Sequence, residues 1–243
     1  GITSHPTDSK TLYIRTDIGG VYRYDFDKQT WAYLADKVTA DDPAQTCPLA
    51  IALDENDPNK LFFTCGDKRS NYICISDDKG ENIIQKTLPC SVHGNEVGRA
   101  TGDRLIYKNG RLYFGSQTAE IIYSEDMGES WQSVDLFGEK NISLIWTDSE
   151  GKLFIAGCSG EANSPDGLTR GHTLYCSTDG LKSFVPLTAP DPVKYENSSY
   201  YGFVPQRITS DSRYIYITFA SSGEVFYGGM GAYACDTGSL SGG

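Results

Sequence analysis

The chain has 243 residues and carries 32 Asp and Glu against 21 Lys and Arg, a formal net charge of −11. That balance argues against nucleic acid and anionic membrane surfaces as partners, because both repel a strongly acidic protein. There is no run of about 18 apolar residues, so no membrane-spanning helix is expected, and the length suits one all-β domain with a sizeable core.

The chain opens at Gly1-Ile2-Thr3, which reads as the inside of a strand and lacks an initiating Met. A processed or truncated product is therefore expected. The first apolar run, Leu12-Tyr13-Ile14, leads into Arg15-Thr16-Asp17-Ile18-Gly19-Gly20-Val21-Tyr22-Arg23. If residues 12 to 17 are extended, Tyr13, Arg15 and Asp17 share one face and Leu12, Ile14 and Thr16 the other. An Arg two positions from an Asp favours the ionised carboxylate. That suits a general base, which must stay deprotonated, better than a general acid. The glycine pair removes side chains beside the carboxylate and leaves room for a bulky substrate. Spacing alone fits equally a surface ion pair followed by a glycine turn.

Similar apolar runs follow at Leu61-Phe62-Phe63, Leu112-Tyr113-Phe114, Leu153-Phe154-Ile155 and Ile215-Tyr216-Ile217, with first residues 49, 51, 41 and 62 positions apart from one run to the next. A polar turn segment precedes each run, and second runs follow at 72–75, 121–123 and 173–176. After those second runs come three copies of one turn: Ser76-Asp77-Asp78-Lys79-Gly80, Ser124-Glu125-Asp126-Met127-Gly128 and Ser177-Thr178-Asp179-Gly180-Leu181. Ile83, Trp131 and Phe184 close them. An Asp side chain accepts N–H groups within its own turn and glycine supplies the positive φ, so each unit reads strand, tight turn, strand. Short strands repeating at about 40–50 residues predict the blades of a β-propeller, four strands to a blade. About five units fit the chain, and a β-sandwich with coincidental turns is the competing fold. Trp31 and Trp131 occupy the position that plugs the core, and Trp146 is expected in the core as well.

Seven cysteines are scattered without metal-ligand spacing, and the three histidines do not complete a metal set. Cys74 and Cys176 lie in apolar runs and read as buried thiols. No cofactor is expected. Sixteen Tyr stand against three Trp. Tyr195, Tyr200, Tyr201 and Phe203 cluster in a loop-like segment, where exposed aromatic rings could cover the C–H faces of sugars. They could equally pack a long crossover loop. Asn95 and Arg99 could bond sugar hydroxyls or tie down an inter-blade loop, and Tyr22, next to the glycine pair, is the best single sugar platform near Asp17.

The stretch from His5 to Arg23 resembles the opening blade of glycoside hydrolase family 74, the xyloglucan-active endoglucanases, in which an extended segment leads into an Arg-Thr-Asp-x-Gly-Gly-x-Tyr-Arg motif. The resemblance continues through Gly94-Asn95-Glu96-Val97-Gly98-Arg99 and Gly102-Asp103-Arg104-Leu105. It also covers Tyr113-Phe114-Gly115-Ser116, the turn closed by Trp131, and Gly202-Phe203-Val204-Pro205. The Ser-x-Asp turns alone are unspecific, since sialidases and non-enzymatic propellers share them. Leu181, in a glycine position, and Gln206, where the family often has His, depart from its pattern.

The resemblance implies an inverting β-1,4-glucanase of two propellers, with xyloglucan or a related plant cell-wall β-glucan lying between them. It implies Asp17 as the general base and a general acid on the second propeller. Residues 1–243 would then be a single β-propeller domain, about five blades of a seven-bladed propeller, and a piece of the longer enzyme. Secretion into the extracellular space is implied too. Two other classes compete: a carbohydrate-binding propeller without chemistry, and a protein-interaction propeller, which gives no reason for the Asp17-Gly19-Gly20 arrangement.

Overall fold

The computed structural model describes residues 1–16, 18–34, 47–67, 70–92, 103–116, 120–138, 141–158, 173–187, 201–222 and 229–236. Among them lie five antiparallel sheets, each strand paired with its neighbour in sequence. The first holds β1 (Ile2–Ser4), β2 (Leu12–Arg15), β3 (Val21–Asp25) and β4 (Thr30–Tyr33). The second holds β5 (Pro48–Asp54), β6 (Asp57–Gly66), β7 (Asn71–Ser76) and β8 (Ile84–Thr87). The third holds β9 (Leu105–Lys108), β10 (Arg111–Gly115), β11 (Ile121–Ser124) and β12 (Gln132–Val134). The fourth holds β13 (Asn141–Thr147), β14 (Leu153–Cys158), β15 (Thr173–Ser177) and β16 (Val185–Leu187). The fifth has three described strands, β17 (Tyr201–Ser210), β18 (Tyr214–Ser222) and β19 (Gly229–Asp236). The five recurring apolar runs are the second described strand of the first four sheets and of the fifth. This is the blade pattern of a β-propeller.

Two compact units contain these sheets. One is Gly1–Arg99 with Leu105–Phe114 and Ile122–Gln132; the other is Ala100–Arg104 with Gly115–Ile121 and Ser133–Gly243. In the first unit β6 explains the unbroken apolar run at 61–63. Leu61, Phe63 and Cys65 turn to a cluster with Tyr13, Val21 and Leu34 of the first sheet. Phe62 turns the other way, to Leu105, Leu112 and Phe114 of the third sheet. Side chains alternate along a strand, and β6 is buried on both faces, so neither face can be polar. In the second unit Leu144, Phe154 and Leu174 pack against Ile208, Ile215 and Ile217, with Trp146 at the edge of that cluster.

The three Ser-x-Asp turns are built alike. Ser76 Oγ donates to Asp78 Oδ1 and accepts Gly80 N–H, both at 2.8 Å, while Asp78 Oδ1 accepts Asn82 N–H at 2.8 Å. Asp126 and Asp179 repeat this with Ser124 and Ser177 before them and the Ser130 and Ser183 hydroxyls after them. Lys79 and Gly80, then Met127 and Gly128, take the paired positive φ. Leu181 takes a φ of 74° where the other turns have glycine, and its side chain is buried. At Gly80 the missing side chain matters, because a Cβ would lie 2.8 Å from Leu34 Cδ1 of the preceding blade.

A cation from the blade before caps two of these turns. Arg23 donates to the Lys79 carbonyl at 2.8 Å and to Glu81 at 2.6 Å; Lys86 donates to the Met127 carbonyl at 2.6 Å and pairs with Glu129 at 2.8 Å. The carbonyl and carboxylate sit at the same two positions of each turn.

The turn hydrogen bonds give a pH dependence. The Asn82 amide N–H and the Ser130 and Ser183 hydroxyls are the foremost causes that hold Asp78, Asp126 and Asp179 down at about 2. In the unfolded chain an Asp titrates near about 4. The folded state therefore holds these carboxylates ionised where the unfolded state has begun to protonate. Their stabilisation is complete above about pH 4 and is lost as pH falls from there towards about 2. Thermal melts between pH 5 and pH 2 are expected to show a falling melting temperature below about pH 4, with a shallower fall for Asp126→Asn.

His5, 4 % exposed, joins the first two sheets. Its Nδ1 accepts the N–H groups of Thr7 at 3.2 Å and Asp8 at 3.1 Å, so the proton sits on Nε2, which donates to the Asp54 carbonyl at 2.8 Å. His5→Ala would leave the Asp54 carbonyl without its buried donor and the Thr7 and Asp8 N–H groups without their acceptor. Urea unfolding is expected to show a loss of about 1–3 kcal/mol.

The structure overturns two readings. Trp31, expected as a core plug, is 43 % exposed. The register pairs Tyr24 with Trp31 and Arg23 with Ala32. Arg23 points at the second blade, so Trp31 must point away, and its ring rests on Tyr24 with centroids 5.0 Å apart. Trp131, by contrast, does pack against the core of the first unit. The second correction concerns Tyr201 and Phe203, read as part of a loop-like segment. They belong to β17, and Tyr201 pairs with Ser222, Val204 with Ala220 and Pro205 with Phe219. Register shifts beside Val204 and Pro205 let an otherwise strand-breaking proline sit in this edge strand.

Candidate functional site

The acidic glycine-rich motif lies at the tip of the β2–β3 hairpin. The ladder runs Tyr13 to Arg23, Ile14 to Tyr22 and Arg15 to Val21. On the other side Arg15 N–H donates to the Gly1 carbonyl and the Gly1 amino group donates to the Arg15 carbonyl, both at 2.9 Å. The hairpin is thus held on both edges up to Arg15. Tyr13 is fully buried between the first and second sheets. The face expected to carry Tyr13, Arg15 and Asp17 together is therefore an inter-blade face at residue 13. Thr16 leaves the strand.

Beyond the ladder one side chain organises the turn. Thr16 N–H donates to the Gly20 carbonyl at 3.1 Å, Thr16 Oγ1 donates to the same carbonyl at 3.1 Å, and Gly19 N–H donates to Thr16 Oγ1 at 2.9 Å. Gly20 takes a φ of +86°, which favours glycine. Gly19 is needed for space: a Cβ there would lie 2.9 Å from Thr16 Oγ1 and 3.5 Å from the Tyr22 hydroxyl. Ile18 stands 59 % exposed at the tip. Asp17 itself lies outside the described residues, as do Asn95, Arg99, Tyr195 and Tyr200. For Tyr201 and Phe203 the backbone alone is described.

Tyr22 is half-buried, its ring against Tyr33 with centroids 5.0 Å apart and planes tilted by 40°. The described part of the site thus brings together Thr16, Gly19, Gly20 and Tyr22. Sequence reading singled out the glycines and Tyr22 but not Thr16. The available signal was a Thr three residues before a Gly, since a hydroxyl can accept an N–H within a turn.

The block Gly102-Asp103-Arg104-Leu105 serves the fold of the second unit at residues 103 and 104. Arg104 is 1 % exposed and donates to the carbonyls of Ile142 and, at 3.5 Å, Gly115. Asp103 accepts Ile145 N–H on its carbonyl at 2.7 Å and pairs with Arg207 at 2.7 Å.

Meandering antiparallel sheets of up to four strands, with Ser-x-Asp turns between strands, define a β-propeller. No protein-family model matches the chain. It is 33% identical over 168 residues to an oligoxyloglucan-reducing end-specific xyloglucanase of Emericella nidulans, covering 64% of this chain and 21% of that protein. It is 35% identical over 204 residues to a xyloglucanase of a Paenibacillus species, covering 74% of this chain and 20% of that protein. Among solved structures it superposes on a glycoside hydrolase family 74 enzyme of Niastella koreensis with a TM-score of 0.80 and 26% identity, covering 98% of this chain and 36% of that one. By sequence and fold together, the chain belongs to glycoside hydrolase family 74. It spans about a fifth of the length of these curated relatives.

Proposed function

We propose that the chain supplies the general-base half of an inverting hydrolase that cleaves the β-1,4-glucan backbone of xyloglucan. The observation that carries this reading is the acidic motif of residues 15–23 at a hairpin tip pinned on both sides, in a chain of this family. Inverting hydrolysis needs two carboxyl groups about 6.5–9.5 Å apart, with a water between the base and the anomeric carbon. Asp17 takes the proton of that water as its oxygen bonds to the anomeric carbon. The general acid protonates the departing glycosidic oxygen from the opposite side. That acid belongs to a second propeller, which accounts for the small share of each relative that this chain spans. The glycines at 19 and 20 keep the sugar's approach to residue 17 free of side chains, and Tyr22 offers the nearest ring. Asn95, Arg99, Tyr200, Tyr201 and Phe203 extend the proposed contacts to the glucan, outside the cell.

The test is the release of reducing ends from xyloglucan by the full-length protein, beside retardation of the isolated 243-residue chain in a xyloglucan-containing gel. Release of reducing ends together with retardation supports the reading. Retardation without release by the full-length protein would make this a binding propeller. A flat response to every β-glucan in both assays would point to a protein partner instead.

A further inference from the structure

We infer that Thr16 is a positioning residue for the reaction, acting through the main chain on either side of residue 17. This rests on the reading of Asp17 as the base. The Thr16 hydroxyl donates to the Gly20 carbonyl and accepts the Gly19 N–H. A third bond, from Thr16 N–H to the same Gly20 carbonyl, closes the ladder. Residue 17 is therefore bracketed by a residue anchored through its own backbone and by two glycines held to that residue's side chain.

Gly19 completes the device. The space that a Cβ would fill is what lets Thr16 Oγ1 reach the Gly19 N–H. Valine matches threonine in shape but neither donates nor accepts, so Thr16→Val leaves the Gly19 N–H and one Gly20 lone pair to water. The turn then loses its cross-brace while the ladder below it, from Arg15 to Val21, stays paired. A base must be held to within a fraction of an ångström of its water, and a displacement of about 1 Å can cost about 10²-fold in rate. The contribution falls on kcat, because the Thr16 hydroxyl bonds main-chain groups of the turn, the Gly20 carbonyl and the Gly19 N–H.

Steady-state kinetics of the full-length enzyme on xyloglucan, with melting temperatures alongside, test this. Thr16→Val is expected to lower kcat by about 10- to 100-fold, with KM within about threefold of wild type and the melting temperature within a few degrees. Thr16→Ser keeps the hydroxyl and is expected to restore kcat to within about threefold. Gly19→Ala, which forces Thr16 Oγ1 aside, is expected to reproduce the kcat loss, with a raised KM because its methyl also enters the sugar's approach, and its kcat carries the test should Thr16→Val fail to fold. A wild-type kcat for Thr16→Val with Asp17→Ala inactive would overturn the positioning role and leave the base standing. A kcat loss matched by a raised KM and a collapsed melting temperature, unrelieved by serine, would reduce Thr16 to a structural residue. Full turnover by Asp17→Ala would overturn both readings.

Discussion

Asp17→Ala in the full-length protein is expected to lower turnover on xyloglucan by about 10³-fold while xyloglucan still retards the protein in affinity gels. The magnitude follows from the role: a positioned general base contributes about 10² to 10⁴ in rate. Binding survives because a sugar chain is held chiefly by stacking and by hydrogen bonds spread over many subsites, of which one carboxylate is a minor part. Asp17→Asn is the stricter control, since it keeps the shape and removes the proton acceptor. Both variants should melt like wild type, because the ladder from Arg15 to Val21 and the Thr16 bracket involve no atom of the residue 17 side chain. Undiminished hydrolysis by either variant would remove Asp17 from the mechanism.

The largest expected effect on stability belongs to Phe62→Ala, at about 3–5 kcal/mol in urea unfolding. Phe62 is 0 % exposed and lies in β6, the central strand of the first unit. Its ring stacks on Tyr107 with centroids 4.6 Å apart and packs between the second and third sheets. Truncation leaves a cavity bounded by paired strands, which cannot collapse into it without breaking ladder hydrogen bonds, so the cost sits high in the range for aromatic deletions. The effect should appear without loss of xyloglucan affinity per folded molecule. A change below about 1 kcal/mol would mean the two sheets do not share this core.

The blade strands were readable because burial on both faces leaves so little room for polar residues: Leu61, Phe62 and Phe63 are apolar since neighbouring sheets lie on each side. The Ser-x-Asp turns were readable because their hydrogen bonds are local, running between residues two to four apart. Trp31 misled because its spacing mimics that of Trp131, while the cross-strand register that sets its face is not written in spacing. Tyr201 and Phe203 misled because the Pro, Asn and Ser before them look like a loop, and the register shifts that admit this stretch to a strand depend on β18. At the site, residue types announced the acidic tip and its glycines. Thr16 went unnoticed, because a threonine in an extended run usually reports β propensity and its cross-brace forms only once the chain has turned.

The central claim, inverting hydrolysis with the base on this chain and the acid beyond it, is tested most directly by proton NMR of the first reducing ends formed from xyloglucan, recorded before mutarotation. Inversion at a β-linkage predicts that the new anomeric centre appears first as α. A β-anomer at first appearance would mean a retained configuration through a covalent intermediate, and would contradict the account.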